Sequence, residues 1–199
     1  EVKLINFYQK LECEYCEDTK NLLIEVSKLS EKIKFEEYNF AVDKEQVEKY
    51  KINKVPATVI EGEKDYGIRY YGIPSGYEFS VIIEDIIDVS LGESGLSDIT
   101  KEKLKTLSQS IHLQVFTTPT WPYCPYAVQL AHKLAMESEY ITADMIEATE
   151  FIHLAQKYSV MGVPRTIIND KGFIEGALPE DLFVDQILNQ LDNKKIIMP

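Results

Sequence analysis

Two stretches of this sequence recur at a fixed offset of 108 residues, and that recurrence limits the folds open to the chain. Tyr15-Cys16 falls on Tyr123-Cys124, and Val55-Pro56 falls on Val163-Pro164. Since one offset serves both motifs, about forty residues separate them in each half with no net gap. Two motifs repeated in the same register predict two copies of one supersecondary unit in tandem.

Each copy reads as the element order βαβαββα. In the first copy an apolar segment at 2–8 predicts a strand covered on both faces. A cysteine-bearing helix follows, then a strand at 33–40 and a short helix for which Asp43 and Gln46 form a capping box. Strands at 57–61 and 67–71 and a last helix complete the copy.

This order predicts an α/β protein with two tandem thioredoxin-like folds, whose central mixed sheets are flanked by helices. The expected boundaries are a first unit at 1–91, a linker and polar helix at 92–110, and a second unit at 111–199. Helical spacing predicts which apolar side chains face the core: in the cysteine helix Leu22, Leu23, Val26 and Leu29, and in the last helix of the first copy Phe79, Ile82, Ile83, Ile86 and Ile87.

The pair Cys13 and Cys16 is the strongest chemical signal in the sequence. If both lie on the first turn of a helix, they share a face, and their Cα atoms fall within the roughly 4.4 to 6.8 Å that a disulfide needs. The unpaired N–H groups and positive dipole end of a helix start favour a thiolate there. The spacing therefore predicts a thiol–disulfide exchange site, with Cys13 as nucleophile and Cys16 as resolving thiol.

Two other interpretations of the pair are weaker. A structural zinc site needs four ligands, and the remaining candidates form no second paired motif: Cys124, His112, His132 and His153. A purely structural disulfide would close so small a loop that it would remove little entropy from the unfolded chain. We therefore predict no metal and no bound cofactor, and we assign the three histidines to structural positions.

Charge and composition narrow the possible partners. The net charge is −12, with 33 acidic against 21 basic residues, which disfavours nucleic acid and anionic membranes as partners. Acidic residues interrupt the apolar runs, so no segment is expected to span a bilayer. Three cysteines suit a cytoplasmic protein with catalytic thiols. The chain starts at Glu1 inside a strand, as expected of a processed or trimmed N-terminus.

The two copies disagree at one informative position. Cys13 falls on Trp121, so the second motif, Trp121-Pro122-Tyr123-Cys124, cannot form an internal disulfide. Cys124 is expected to be a partly buried, unreactive thiol. Trp121 either joins Tyr123, Tyr126 and Pro164 in an apolar patch or fills the space of the lost site. Arg165 is expected to be a surface charge, with a contact to an acidic group or to Cys124 as the alternative.

The motifs together resemble one known family. The tandem repeat, Cys-Glu-Tyr-Cys at 13–16, Pro-Tyr-Cys-Pro-Tyr-Ala at 122–127 and the run from Tyr70 to Phe79 are similar to the protein disulfide oxidoreductases of thermophilic archaea and bacteria. The resemblance implies a cytosolic, glutaredoxin-like enzyme that reduces, oxidises or isomerises protein disulfides. It also implies a cis-proline opposite each cysteine motif. Two departures from that pattern are Trp121 and the absence here of a helix before the first strand.

The resemblance and the repeat together give the remaining site residues. Pro56 and Pro164 are expected to be cis, and Val55 and Val163 to offer their backbones to an extended substrate segment; a plain loop proline beside an edge strand is the alternative. Tyr15 and Tyr123 either line the substrate groove or only pack. The acids Glu14, Glu17 and Asp18 favour a reducing couple, nearer about −270 mV than about −120 mV.

Three functions remain open at the level of sequence. The leading hypothesis is a protein disulfide oxidoreductase that acts through Cys13 and Cys16 on protein disulfides or dithiols. A second is a dedicated electron carrier between a thioredoxin-reductase-like flavoprotein and a peroxidase. A third is a non-catalytic binding or chaperone module, which predicts that Cys13→Ser leaves function intact.

Overall fold

The computed structural model describes residues 1–192. Residues 193–199, which the predicted second unit includes, lie outside the described residues. The first copy of the repeat contains seven elements: β1 (Val2–Tyr8), α1 (Cys16–Ser27), β2 (Ile33–Asn39), α2 (Lys44–Lys49), β3 (Ala57–Glu61), β4 (Asp65–Tyr71) and α3 (Glu78–Leu91).

A short helix, α4 (Asp98–Leu104), connects the copies, and the Ser97 side chain caps it by accepting from the Thr100 N–H at 3.2 Å. The second copy repeats the order of the first: β5 (Ile111–Thr117), α5 (Cys124–Glu137), β6 (Ile141–Glu147), α6 (Ile152–Lys157), β7 (Arg165–Ile168), β8 (Gly172–Glu175) and α7 (Glu180–Asp192). The predicted βαβαββα order is therefore confirmed in both copies. We call β1 to α3 the first unit and β5 to α7 the second unit.

The strands of both units form one continuous eight-stranded sheet in the order β2-β1-β3-β4-β6-β5-β7-β8. Within each unit the first two strands pair in parallel, and the hairpin strands add antiparallel. The units join where β4 pairs in parallel with β6, from Ile68 opposite Ala143 to Tyr71 opposite Ile146. The sequence did not indicate this join, because strand pairing at a sheet edge leaves no periodic signal.

Side chains on the two faces of the sheet pack into two separate hydrophobic cores. In β1, Leu4 packs into the core beneath α1, α3, α5 and α7, whereas Ile5 and Phe7 pack into the core beneath α2 and α6. This two-sided burial explains why the segment reads as nearly continuously apolar. No helix in residues 1–192 combines the length and the apolar character that crossing a bilayer requires.

Three local expectations are wrong. Asp43 does not cap α2, because its carboxylate instead accepts from the Asn39 N–H at 2.5 Å. Leu29 lies beyond the end of α1 and is exposed. On α3, Phe79 and Ile87 face solvent, and the buried stripe runs instead through Val81, Ile82, Asp85, Ile86 and Val89, since α3 packs against both the sheet and α5 of the second unit.

A buried polar network joins the two units beneath the sheet. The carboxylate of Asp85 on α3 accepts from the Tyr70 hydroxyl of β4 and lies 2.6 Å from Nδ1 of His132 on α5. All three side chains are fully buried, and the Tyr70 and His132 rings meet edge to face with centroids 5.0 Å apart. The position of His132 confirms its structural assignment, and the network connects β4 and α3 of one unit to α5 of the other.

We expect Asp85→Ala to destabilise the protein by about 3 to 5 kcal/mol, because it leaves the Tyr70 hydroxyl and the His132 ring buried without their partner. The measurement is urea unfolding at pH 7 against Glu84→Ala, which removes the exposed neighbouring acid on α3. Equal unfolding midpoints for the two variants would contradict a structural role for the network.

Candidate active site

Cys13 and Cys16 form a disulfide, with an S–S distance of 2.00 Å and Cα atoms 5.5 Å apart. The expectation that both lie on the first helical turn is wrong: α1 begins at Cys16, and Cys13 lies in the preceding turn. Glu12, just before Cys13, takes a positive φ of 56°, and the helix starts where the Tyr15 carbonyl accepts from the Thr19 N–H at 2.9 Å. The sulfur atoms of Cys13 and Cys16 are nevertheless bonded to each other at the start of α1.

The two sulfur-bearing residues differ in their access to solvent. Cys16 is 5% exposed and packs under the start of α1, whereas Cys13 is half-buried and lines an open groove of about 600 Å³. A partner molecule in that groove therefore meets Cys13 first. This asymmetry is the arrangement needed for an attacking outer thiol and a resolving inner thiol.

The wall opposite Cys13 is formed by Val55 and Pro56. Their peptide bond is cis, as is the bond between Val163 and Pro164 in the second unit, so both predicted cis-prolines are confirmed. β3 begins immediately after Pro56, which fixes this wall to the sheet. Tyr15 also lines the groove and is 36% exposed, so it has the position expected of a groove residue rather than a packed one.

The second unit completes the groove, which the sequence did not predict. Glu150 and Phe151, which lie between β6 and α6, line it together with Cys13. The Glu150 Oε1 accepts from the Ile73 N–H of the first unit at 2.7 Å, and burial raises the pKa of Glu150 to about 7. The only signal for this contact is tertiary, because it follows from the parallel pairing of β4 and β6.

The second cysteine motif lacks the features of the first. Cys124 is the first residue of α5, as Cys16 is of α1, but it is 0% exposed, and burial raises its pKa to about 11. Trp121 is 49% exposed and lies 6.1 Å from the Tyr123 ring between centroids. Of the two interpretations of Trp121, the exposure of its ring beside Tyr123 supports a surface position and not the filling of a cavity. Tyr126 is also exposed, whereas Pro164 is buried and does not join a surface patch.

The expectation that Arg165 is a surface charge is wrong. It is buried on β7, where its guanidinium pairs with Glu175 at 2.5 Å and stacks over the Phe173 ring at 3.9 Å. Arg165 and Glu175 lie opposite each other in the β7–β8 hairpin, so the pairing follows from strand register. These two contacts hold the Arg165 side chain within the β7–β8 hairpin.

A buried carboxyl on α3 lies near the second cysteine motif. Glu78 is 2% exposed at the first residue of α3, its Oε1 lacks a hydrogen-bond partner among the described residues, and burial raises its pKa to about 7. Its charge lies close enough to Cys124 to raise that thiol's pKa further. The sequence contained Glu78 in the run from Tyr70 to Phe79 but gave no sign that the carboxyl is buried.

No group of three or more His, Cys, Asp or Glu side chains in residues 1–192 is arranged to hold a metal ion.

The sequence profile described as thioredoxin domain matches residues 2–84 and 111–189, one match for each unit. The chain belongs to the thioredoxin-domain family. The two matches correspond to the two repeats, and the paired cysteines stand at the start of α1 in the first.

Among solved structures, the protein disulfide oxidoreductase of Aeropyrum pernix K1 is 35% identical, with a TM-score of 0.87 over 94% of this chain and 84% of that one. This match confirms the resemblance that the motifs indicated. The alkylhydroperoxide reductase protein AhpF of Enterococcus faecalis superposes with the same TM-score of 0.87 over 94% of this chain and 90% of that one, at 23% identity, which shows a shared fold.

Curated relatives are longer than this chain. A Bacillus subtilis NADH dehydrogenase is 26% identical over 66% of this chain and 26% of its own length. The corresponding alkyl hydroperoxide reductase protein of Staphylococcus aureus is 25% identical over 89% of this chain and 32% of its own length. The chain therefore spans about a third or less of the curated relatives it matches.

The raised pKa of Glu78 predicts a pH-dependent stability. The folded protein binds this proton more readily than the unfolded chain, so the contribution is present below pH 4.5 and is lost as the pH rises to about 7. We expect Glu78→Gln to be more stable than the parent at pH 8, by at most about 3 kcal/mol, and equal to it near pH 4.

Urea unfolding at the two pH values measures this difference. Glu84→Gln, an exposed acid on the same helix, is the control and should change stability little at either pH. A stability gain from Glu78→Gln that is the same at pH 4 and pH 8 would show that ionisation of Glu78 is not its cause.

Proposed function

We propose that this thioredoxin-fold protein is a protein thiol–disulfide oxidoreductase that works through the Cys13/Cys16 couple. The observation that carries the proposal is the Cys13–Cys16 disulfide at the start of α1, with Cys13 on the wall of an open groove opposite cis-Pro56. The 35% identity to the Aeropyrum pernix protein disulfide oxidoreductase over 94% of this chain supports the same activity.

The reaction needs only the two sulfurs of this site. In the reducing direction the Cys13 thiolate attacks one sulfur of a substrate disulfide, forms a mixed disulfide and releases the first substrate thiolate, which takes up a proton. The Cys16 thiolate then attacks the Cys13 sulfur and releases the second substrate thiolate. Two electrons have passed to the substrate, and the Cys13–Cys16 disulfide remains.

The groove supplies the positioning. An extended substrate segment can lie beside Val55 and Pro56 as an added strand, with its cysteine directed at Cys13 and Tyr15 beside it. Main-chain pairing of this kind tolerates many sequences, which suits an enzyme that acts on protein disulfides or dithiols.

We assign the second unit a supporting role. Its Trp121 and buried Cys124 cannot form a redox couple, and the corresponding positions Tyr123, Val163 and Pro164 keep the shape of a substrate platform. Its contribution to the first site is the wall formed by Glu150 and Phe151. The division at 1–91, 92–110 and 111–199 is retained as part of this proposal, supported by the repeated element order.

The relatives favour a second candidate function within the same chemistry. Because proteins called NADH dehydrogenase and alkyl hydroperoxide reductase contain a stretch similar to this chain, it is a candidate carrier between a thioredoxin-reductase-like flavoprotein and a peroxidase. A rate on one purified peroxidase that far exceeds the rate on insulin would favour the carrier.

A cytoplasmic location and a thermophilic source, which the family resemblance implies, are part of the proposed oxidoreductase function.

Insulin reduction with dithiothreitol tests the main proposal. We expect Cys13→Ser to lower the rate to that of dithiothreitol alone, since no nucleophile remains, and Cys16→Ser to accumulate a mixed disulfide that mass spectrometry detects. Cys124→Ser is the matched control and should keep the parent rate, because that thiol is buried. Full activity of Cys13→Ser would contradict the assignment of Cys13 as the nucleophile, and a parent rate no higher than that of dithiothreitol alone would favour the binding or chaperone function.

Trp121→Cys tests whether the second unit is otherwise intact. The Cys124 N–H donates to the Trp121 carbonyl at 3.3 Å, so the two residues are separated by one turn at the start of α5, as Cys13 and Cys16 are at the start of α1. We expect Trp121→Cys to form a disulfide with Cys124 under air and to raise insulin reduction up to roughly twofold. Mass spectrometry after alkylation checks the bond, and a free thiol at both positions would contradict the inferred geometry.

A further inference from the structure

The groove at Cys13 has an excess of negative charge. Among the described residues, three carboxylates line it, those of Glu12, Glu14 and Glu150, against the single ammonium group of Lys10. The charge of Glu14 also raises the pKa of the neighbouring Tyr15, with a further contribution from Glu150, so the field of these acids reaches across the groove. A substrate segment in the groove would experience this field next to its reacting cysteine.

Glu150 differs from the other two acids because the fold holds it in place. Glu12 and Glu14 are exposed side chains on the turn, whereas Glu150 is half-buried and anchored through Oε1 to the Ile73 N–H at 2.7 Å. Its Oε2 is shielded from water and has no hydrogen-bond partner among the described residues. Because this oxygen is shielded, what Glu150 offers a substrate in the groove is the negative charge of its ionised carboxylate, which a half-buried position screens less than open water would.

We propose that Glu150 makes the groove selective for disulfides whose reacting cysteine is flanked by Lys or Arg. The proposal rests on the proposed function of Cys13 and names the substrate class of that same site. A flanking cationic side chain supplies the charge that offsets the excess of acids lining the groove, of which Glu150 is the one held in place by the fold. Glu150 is then a specificity-determining residue that the redox-inactive second unit contributes to the first site.

A purely structural role for the Glu150 carboxylate is an outcome that the test separates. If Glu150 only held the groove in shape through the Ile73 N–H, it would affect binding of every segment equally, whatever its side chains. The selective role predicts that the effect of Glu150 depends on the charge beside the cysteine. The discriminating quantity is therefore a ratio of two rates and not a single rate.

The experiment uses two peptides, each with one intramolecular disulfide, that differ only in having Arg or Glu on both sides of the reacting cysteine. Full-length protein is reduced, freed of reductant and mixed with each peptide at pH 8, where Glu150 is ionised. The second-order rate constant of peptide reduction gives the ratio of the Arg to the Glu peptide. Glu150→Gln keeps an acceptor for the Ile73 N–H, so it removes the charge with little change of shape.

We expect the parent protein to favour the Arg peptide, and Glu150→Gln to lower that ratio roughly fivefold to tenfold. Glu102→Gln, which removes an exposed acid on α4 that is not among the groove residues, should leave the ratio unchanged although the net charge changes equally. The parent ratio should also fall as salt is raised from about 0.05 to about 0.5 M.

A parent ratio near one, or an equal loss on both peptides in Glu150→Gln, would overturn the proposal while leaving the oxidoreductase function in place. Failure of the function itself looks different, because Cys13→Ser would then reduce both peptides at the parent rate. The two hypotheses can thus fail separately.

Discussion

The parallel pairing of β4 with β6 is the contact on which the rest of the site depends. Parallel strands bring their carboxyl ends to the same edge of a sheet, so the segment after β4 meets the segment after β6. That is where the Ile73 N–H holds the Glu150 carboxylate and where the groove beside Cys13 gains its second wall. The buried bonds of Asp85 to Tyr70 and His132 fix the same two units from beneath the sheet.

The sequence predicted what is encoded locally. The repeat predicted the element order of both units, and the spacing of Cys13 and Cys16 predicted their disulfide. The repeated Val-Pro, together with the family resemblance, predicted the cis-prolines at 56 and 164. Nothing local showed that β4 would find a partner in the other unit, or that Arg165 would be buried by its neighbour across a hairpin. The β4–β6 pairing joins residues far apart in sequence, for which local patterns contain no signal. Arg165 and Glu175 are only ten residues apart, but their contact depends on the register of the hairpin, which the residue types at the two positions do not specify.

Gly76 lies in a local sequence motif, but the reason for a glycine at this position is a contact with the other unit. It stands in the run from Tyr70 to Phe79 and reads as a simple break in the chain. In the structure its φ is 61°, and a Cβ there would lie 2.3 Å from the Pro119 carbonyl oxygen of the second unit, just before Trp121. The next N–H, of Tyr77, donates to that same oxygen at 3.1 Å. Glycine is needed because the two units approach backbone to backbone.

The loss of one cysteine has different consequences for chemistry and for packing. A disulfide couple needs both sulfurs, so replacing one by Trp121 ends the chemistry of the second unit at once. The remaining thiol of Cys124 packs as a small apolar group, and this packing does not depend on a second cysteine. The unit therefore keeps its core and its half of the sheet, and those are the parts that position Glu150 and Phe151 at the working site.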